Sequence, residues 1–354
     1  IKVKAMRDLI QKLESKERLS EEEAYRLYDL DLFTLAKFAH QKRTALHGKK
    51  VYFNINRHIN PTNICADTCK FCAFSAHRKN PNPYLMSHEE ILNIVADTQK
   101  RGTKEVHIVS AHNKDTTWQW YLEIFQKIKQ NYPQIHIKAL TAAEIDFIHR
   151  RWGLSYEEVI EKMLEYGVDS MPGGGAEIFD EEIRAKICKG KVSSENWLKI
   201  HKIWHQKARQ SNATMLYGHI EKREHRIDHM LRLRALQDET GGFNAFIPLV
   251  WQKDNSFLDV KEQLDSEEIL KTIAISRLVL DNIKNIKAYW ATMSLKLAMV
   301  AQEFGANDLD GTIEKESIQS AGGAKSARGT SLQTFIELIK TSNLIPVERD
   351  SLYN

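Results

Sequence analysis

From Val51 onward, short apolar runs alternate with longer stretches of helical period. The runs that read as strands are "VYFNINRHIN" (51–60), "EVHIVSA" (105–111), "IHIKALT" (135–141), "VDSMP" (168–172), "NATMLYG" (212–218), "GFNAFIPLV" (242–250), "IKAYWAT" (286–292) and "ANDLDGT" (306–312). Between them lie amphipathic segments such as "SHEEILNIVADTQKRG" and "YEEVIEKMLEYG", several closing on the glycine that commonly ends a helix. Strands alternating with helices predict parallel βα units. Eight of them predict an α/β fold of the (β/α)8 TIM-type barrel, with an open doubly wound sheet as the alternative.

Residues 1–50 read as an N-terminal helical extension, with Ser20 and Glu23 spaced as a capping box and a stop near Gly48. Residues 51–312 form the expected barrel. Residues 313–354 are expected to be a loop and helix packed on it: "SAGGAKSARG" (320–329) looks flexible, and "SLQTFIELIKTSNLIPVERD" looks like a helix and tail covering the barrel.

Composition narrows the class. Of 354 residues 42% are hydrophobic and 28% charged, and seven Trp with 13 Phe exclude a mostly disordered chain. The net charge of +4 is spread over interspersed acids and bases without a long basic block, which suits anionic small molecules and gives no sign of a nucleic-acid surface. No apolar run approaches the roughly 18–20 residues that span a bilayer, and the charged N-terminus lacks the apolar core of a secretory signal. With only four cysteines, a disulfide framework is not expected, and the reading is a cytoplasmic enzyme without a membrane partner.

Three of those cysteines, Cys65, Cys69 and Cys72, fall within eight residues of the loop after the first strand, in "NPTNICADTCKFCAFS". Buried thiols packing as small hydrophobes would not need the polar flanks "PTN" and "ADT". A structural zinc would need a fourth ligand, for which His58 or His77 is a candidate. A [4Fe–4S] cluster on three thiolates leaves one iron open to a small molecule.

The spacing C-x-x-x-C-x-x-C, with Phe71 before the last cysteine and after the first strand of a βα barrel, resembles the radical S-adenosylmethionine (radical SAM) superfamily. The resemblance implies that the open iron chelates SAM, and that one electron cleaves the sulfonium to a 5′-deoxyadenosyl radical. "NINRHINPTNIC", "MPGGGAEIF", "NATMLYGHIE", "LQDETGGFNAFIPLVW" and "FGANDLDGTIEKE" further resemble the aminofutalosine synthases of menaquinone biosynthesis, over about Val51 to Gly329. Dehypoxanthine futalosine cyclases share the glycine-rich phrase, while "RHINPTNIC" and "YGHIE" favour the synthases. The implied reaction uses SAM as co-substrate. The adenosyl radical adds to the enol ether of chorismate-derived 3-[(1-carboxyvinyl)oxy]benzoate, and rearrangement with loss of carboxylate gives 6-amino-6-deoxyfutalosine. An electron donor such as flavodoxin or ferredoxin is implied, and a homodimer is compatible with the resemblance.

Strand ends are the places to look for ligands of three carboxylates, two on the benzoate and one on SAM. Arg57 or His58 is expected as a carboxylate or proton partner, with Asn60 beside them; the plain alternative is a surface charge. Gly173, Gly174 and Gly175 let backbone approach a ligand, unless they only make a turn. Glu177 is a candidate ribose acceptor, Gly218 a surface for adenine, and His219 and Glu221 either substrate contacts, His219 catalytic, or solvent-facing. Relatives usually carry a Gly-Gly pair for the SAM ammonium where this chain has Ser110, Ala111 and His112. Ser110 is retained as a candidate, Glu144 is the acidic alternative, and Lys191 is a partner for SAM's carboxylate. Trp290 and Thr292 are expected to bound the aromatic substrate or the core. Asp308, Asp310 and Glu314 are expected to hold loops or to orient an Arg or His, and Cys188 to be structural.

Overall fold

The computed structural model describes residues 2–77, 80–313, 315, 317–327 and 329–354; Glu314 lies outside them. Nine strands are described: β1 (Lys50–Asn54), β2 (Asn56–Ile59), β3 (Glu105–Ile108), β4 (His136–Ala139), β5 (Ser211–Tyr217), β6 (Phe243–Val250), β7 (Asn285–Ile286), β8 (Asp308–Gly311) and β9 (Ile345–Glu348). Every pairing between named strands is parallel: β2 with β3, β3 with β4, β5 with β6, β6 with β7, and β1 with both β8 and β9. Single parallel bridges complete the ring, Lys138 to Ser170, Met171 to Ser211 and Lys287 to Asp308. The expected (β/α)8 closure is therefore present, with helices outside.

Three details differ from the pattern-based reading. The first strand is two: below Ile55 it pairs with β8 and β9, and above it with β3. Asn56 explains the break, because its side-chain Oδ1 accepts from the Ile313 N–H at 2.8 Å where a ladder bond would continue. The fourth strand, expected over 168–172, is reduced to the bridges at Ser170 and Met171. The seventh, expected over 286–292, ends at Ile286, and Trp290–Met293 turn helical.

The flanking regions pack tightly. The N-terminal region contains helices Lys2–Ser15, Glu21–Tyr25 and Leu32–His47, and the capping box on Ser20 and Glu23 forms. The third of these helices packs Leu35, Phe38 and Ala39 into the core beside helix Ser266–Val279. Its Arg43 donates to the carbonyls of Ala306 and Lys50, at 3.2 and 2.7 Å. After helix Leu332–Thr341 the expected tail is instead β9, hydrogen-bonded alongside β1.

Alternation along the strands sends Glu105, His107, Lys138 and Asp310 into the barrel and Val106, Ile108 and Ile137 outward under the helices. The buried polar interior is compensated pair by pair. Lys138 lies 3.1 Å from Glu105, Lys287 donates to Asp310 at 2.7 Å, and Arg349 donates to Asp308 at 3.0 Å. Such pairing offsets the cost of burying charge. No helix among the described residues is long and apolar enough to cross a membrane.

Candidate active site

Above this charged floor, at the C-terminal ends of the strands, lies a cavity of ≈ 290 Å³. The cysteine loop forms one wall because neighbouring loops pin it: Ala66 N–H donates to the His112 carbonyl at 2.9 Å, Lys70 N–H to Ile187 at 2.7 Å, and Phe257 N–H to the Lys70 carbonyl at 2.7 Å. Cys65, Cys69 and Cys72 all line the cavity and are partly buried. Burial pushes the Cys65 and Cys69 thiols up, outweighing the opposing influence of the His112 and Asp67 backbone on Cys65 and of the Lys191 ammonium on Cys69. A metal therefore has to displace those protons on binding.

A single ion and a cluster ask for different spacing. Around one tetrahedral zinc, with Zn–S of about 2.3 Å, thiolates crowd within roughly 4 Å of one another. The three sulfurs do not converge in this way. Among the described residues, the one set of three ligand atoms lying within 4.8 Å of one another is Cys65, Asp67 and His112. Neither suggested fourth zinc ligand stands ready: His58 bonds His107 at 3.2 Å, and the His77 ring packs against Phe257. Thiols spread around a cavity mouth suit a polynuclear cluster, in which each binds a different iron.

Gly173, Gly174 and Gly175 also line the cavity. Close packing explains part of this run. A Cβ on Gly173 would lie 2.7 Å from the Asn212 carbonyl, and Gly175 has φ +93° with Ala143 against it. The carbonyls behind the turn are tied down, Gly173 by Thr214 Oγ1 at 2.6 Å and Gly175 by Arg184 at 3.1 Å. Glu177 follows in the left-handed region, φ 47°, and accepts from Lys191 Nζ at 2.8 Å. That ammonium also lies 5.4 Å from the centroid of the Phe71 ring. Burial alone would lower the Lys191 pKa, but Glu177 and the nearby thiols outweigh it and raise it. Phe71, Ser110, His58 and Asn60 complete the expected residues found on this cavity.

Others from the sequence reading sit elsewhere. Glu144 is buried behind the wall, its carboxylate accepting from Ser110 N–H at 2.9 Å and from Thr141 N–H and Oγ1, each at 2.8 Å. Gly218, at φ +90°, turns the chain off the strand, so that Glu221 folds back to accept from the N–H groups of Gly218 and His219, at 2.7 and 2.9 Å, and from Arg226 at 2.7 Å. His219 is buried in that knot, 3.1 Å from the Leu216 carbonyl, and none of the three lines the cavity. Arg57 lines a second cavity of ≈ 450 Å³, which shares His58, Asn60 and Phe74 with the first. Trp290 is core, its Nε1 donating to Gly311 at 2.9 Å, and buried Thr292 bonds the Tyr289 carbonyl. Cys188 is buried and its pKa pushed up to about 11 by burial.

Sequence reasoning missed several wall residues. Asn212, Thr214 and Leu216 alternate inward along β5, as Ile247 and Leu249 do along β6, and the period of two carried that signal. Trp251 and Tyr289 add aromatic surface. Asp310 was expected to hold loops or to orient an Arg or His; its hydrogen bond is instead to Lys287 at 2.7 Å, with Arg349 3.7 Å away, and it lines the cavity. Lys287 and Arg349 hold its carboxyl low despite burial.

Comparison with known proteins agrees with this geometry. The chain is 41% identical over 350 residues to the aminodeoxyfutalosine synthase of Thermus thermophilus, covering 98% of this chain and 94% of that protein. It is 37% identical to the synthase of Streptomyces coelicolor, covering 98% and 93%. A 5-amino-6-(D-ribitylamino)uracil–L-tyrosine 4-hydroxyphenyl transferase of Archaeoglobus fulgidus is 38% identical over 321 residues, covering 90% and 92%. In fold, the [FeFe]-hydrogenase maturase HydG of Carboxydothermus hydrogenoformans superposes with TM-score 0.78 at 17% identity, covering 99% of this chain and 81% of HydG. Methylornithine synthase PylB gives 0.75 at 17% identity, covering 96% and 97%. Residues 59–233 match the family model of the Radical SAM superfamily, and residues 240–354 that of the CofH/MqnC C-terminal region. This chain belongs to the radical SAM superfamily, whose [4Fe–4S] cluster and SAM suit the thiols Cys65, Cys69 and Cys72.

Proposed function

We propose that this protein is an aminofutalosine synthase, joining the 5′-deoxyadenosyl group of SAM to 3-[(1-carboxyvinyl)oxy]benzoate. The observation that carries the reading is near-full-length identity of 41% to such a synthase, combined with one cavity that holds the three thiols, a glycine turn and an aromatic wall. When bound on Cys65, Cys69 and Cys72, the cluster supplies the electron that cleaves SAM to methionine and the adenosyl radical. The chain's own residues then bind and orient. Lys191 takes the SAM carboxylate, Glu177 holds that ammonium in place and accepts from a ribose hydroxyl, and the Gly173–Gly175 turn lets the nucleoside lie close to backbone. Leu249, Trp251 and Tyr289 pack the benzoate ring and exclude water from the radical. His58, backed by His107, is the proton and carboxylate partner. The adenosyl carbon would bond to the alkene CH2, the aryl group would migrate from the ether oxygen to the adjacent carbon, and the bond from that carbon to its carboxylate would break. The odd electron returns to the donor that supplied the first one, so CO2 leaves and the overall reaction is redox-neutral.

On this reading residues 1–50 are a helical buttress, 51–312 the catalytic barrel and 313–354 its closing segment. The enzyme works in the cytoplasm with a small electron-transfer protein as reductant. The test is anaerobic: reconstituted, reduced protein with SAM and the enol-ether benzoate, read by mass spectrometry. Aminofutalosine is expected. Free 5′-deoxyadenosine without an adenosyl adduct would point to a hydrogen-abstracting enzyme of the cyclase kind and sink the proposal.

A further inference from the structure

The last strand of the barrel carries a carboxylate that uses only one of its oxygens. Asp310, in β8, lines the cavity, with its side chain 11% exposed. Both of its cations address the same oxygen: Oδ1 accepts from Lys287 Nζ at 2.7 Å and lies 3.7 Å from the Arg349 guanidinium. Among the described residues no donor bonds Oδ2. The backbone fixes this pose. Its φ of +70° is left-handed, a conformation that Asp and Asn adopt more readily than other side chains. Its N–H donates to Asp308 Oδ1 at 2.5 Å, and the Gly311 carbonyl that follows accepts from Trp290 Nε1 at 2.9 Å. Backbone strain of this kind persists where the surroundings over-determine it, and it clusters at ligand sites.

We propose that Asp310 is a further ligand-binding residue, its Oδ2 accepting a hydrogen bond from a hydroxyl or amino group on the adenosyl half of SAM. The inference rests on the co-substrates of the proposed function and follows from their hydrogen-bonding groups. An ionised carboxylate accepts and cannot donate. At neutral pH the enol-ether benzoate carries two carboxylates and an ether oxygen, all acceptors, so it has nothing to offer Asp310. SAM has donors at both ends: an ammonium on the methionine, and an adenine amine and two ribose hydroxyls on the nucleoside. The methionine end goes to Lys191 and the cluster, which leaves the nucleoside donors for the barrel wall. Asp310 thereby sorts the two guests. It holds the adenosyl group and denies the same place to either carboxylate of the benzoate, so nucleoside and alkene cannot exchange positions.

D310N keeps the size of the side chain and suits the positive φ, but it loses the charge and can turn an N–H towards the cavity. Each protein is reconstituted anaerobically and left unreduced, so that SAM is not consumed. Equilibrium dialysis then measures labelled SAM and the enol-ether benzoate separately. SAM should bind D310N about tenfold more weakly, the worth of a hydrogen bond to a charged group, while the benzoate binds no more weakly than to the parent. Three SAM analogues name the donor: 2′-deoxy, 3′-deoxy, and an inosyl form in which oxygen replaces the adenine amine. The group whose removal abolishes the difference between D310N and the parent is the one that Asp310 holds. Because D310N leaves Lys287 without its carboxylate, D310N/K287M repeats the SAM measurement with neither charge present and should show the same loss. Unchanged SAM affinity in either folded variant overturns the proposal. An equal loss for SAM and benzoate in D310N also overturns it, since that marks damage to the site as a whole. A penalty that persists with all three analogues removes Asp310 from the adenosyl group. A parent protein that binds SAM but no benzoate would overturn the proposed co-substrate instead, and the SAM and analogue arms would still decide the role of Asp310.

Discussion

Lys191 and Glu177 form an ion pair on the cavity wall at 2.8 Å, and their surroundings make them interdependent. Both side chains are largely buried, at 15% and 11% exposure, so each charge relies on the other more than on water. K191M is expected to weaken SAM binding roughly 10- to 100-fold, the worth of about 1.5–3 kcal/mol for a hydrogen bond to a charged group. It should also lower the melting temperature, because Glu177 stays behind unpaired. Adding E177Q should restore the melting temperature without restoring SAM affinity. Equilibrium dialysis with labelled SAM and thermal melts of the four proteins check both arms, and unchanged affinity in K191M would remove Lys191 from the site.

At the scale of elements, β9 shows what a short strand contributes beyond its hydrogen bonds. It leads directly to Arg349 and Tyr353, which reach Asp308 at 3.0 and 2.7 Å, and Asp308 is completely buried. R349M leaves that carboxylate without its guanidinium and is expected to cost about 3–5 kcal/mol, the usual penalty for breaking a buried pair. Urea titration measures it, and a loss below about 1 kcal/mol would mean that Tyr353 alone suffices. The sequence reading missed this strand for a physical reason: Ile345–Glu348 is short, contains Pro346, and alternates weakly in burial, since only one edge is paired. The inner strands were legible as short runs bounded by turns, in which apolar residues such as Val106, Ile108 and Ile137 recur at every second position under the helices. Asn56 was not legible as a break, because an asparagine that caps a ladder with its side chain looks like any polar strand residue. The same limit applied to "YGHIE". The period of two placed His219 and Glu221 beyond a strand end, but the positive φ of Gly218 reverses the chain and buries them. The cysteine loop was legible through spacing alone, since ligand chemistry leaves few alternatives for three thiols in eight residues.

The whole molecule is acid-sensitive through its histidines, independently of the active-site chemistry. Burial lowers His47 and His205 to about 4 and His229 to about 3, and it lowers His107 and His201 as well. These rings hydrogen-bond as neutral groups: His229 Nε2 meets the Thr214 carbonyl at 2.8 Å, and His205 meets Thr240 and Ser211 hydroxyls at 2.7 and 2.8 Å. In the unfolded chain they titrate near 6.5. Between about pH 6.5 and 4 the unfolded state therefore binds more protons than the folded state, and stability falls as pH falls. The stabilisation is fully present above 6.5 and is lost on the way down to the folded pKa. His205 alone, at about 4 when folded, accounts for on the order of 3 kcal/mol. The buried carboxylates add to this only at lower pH. Glu105, held at about 2 chiefly by Lys138 against the effect of burial, withdraws its contribution below about 4.5. Thermal melts from pH 8 to 5 on the C65A/C69A/C72A protein, where cluster loss cannot intervene, should show the melting temperature level above pH 7 and falling steadily below 6.5. H205N, which takes up no proton, should flatten that fall by about one proton's share. A melting temperature constant between pH 7 and 5 would mean that these rings take up protons in the folded protein as readily as in the unfolded chain, against the neutral bonding of His205 and His229.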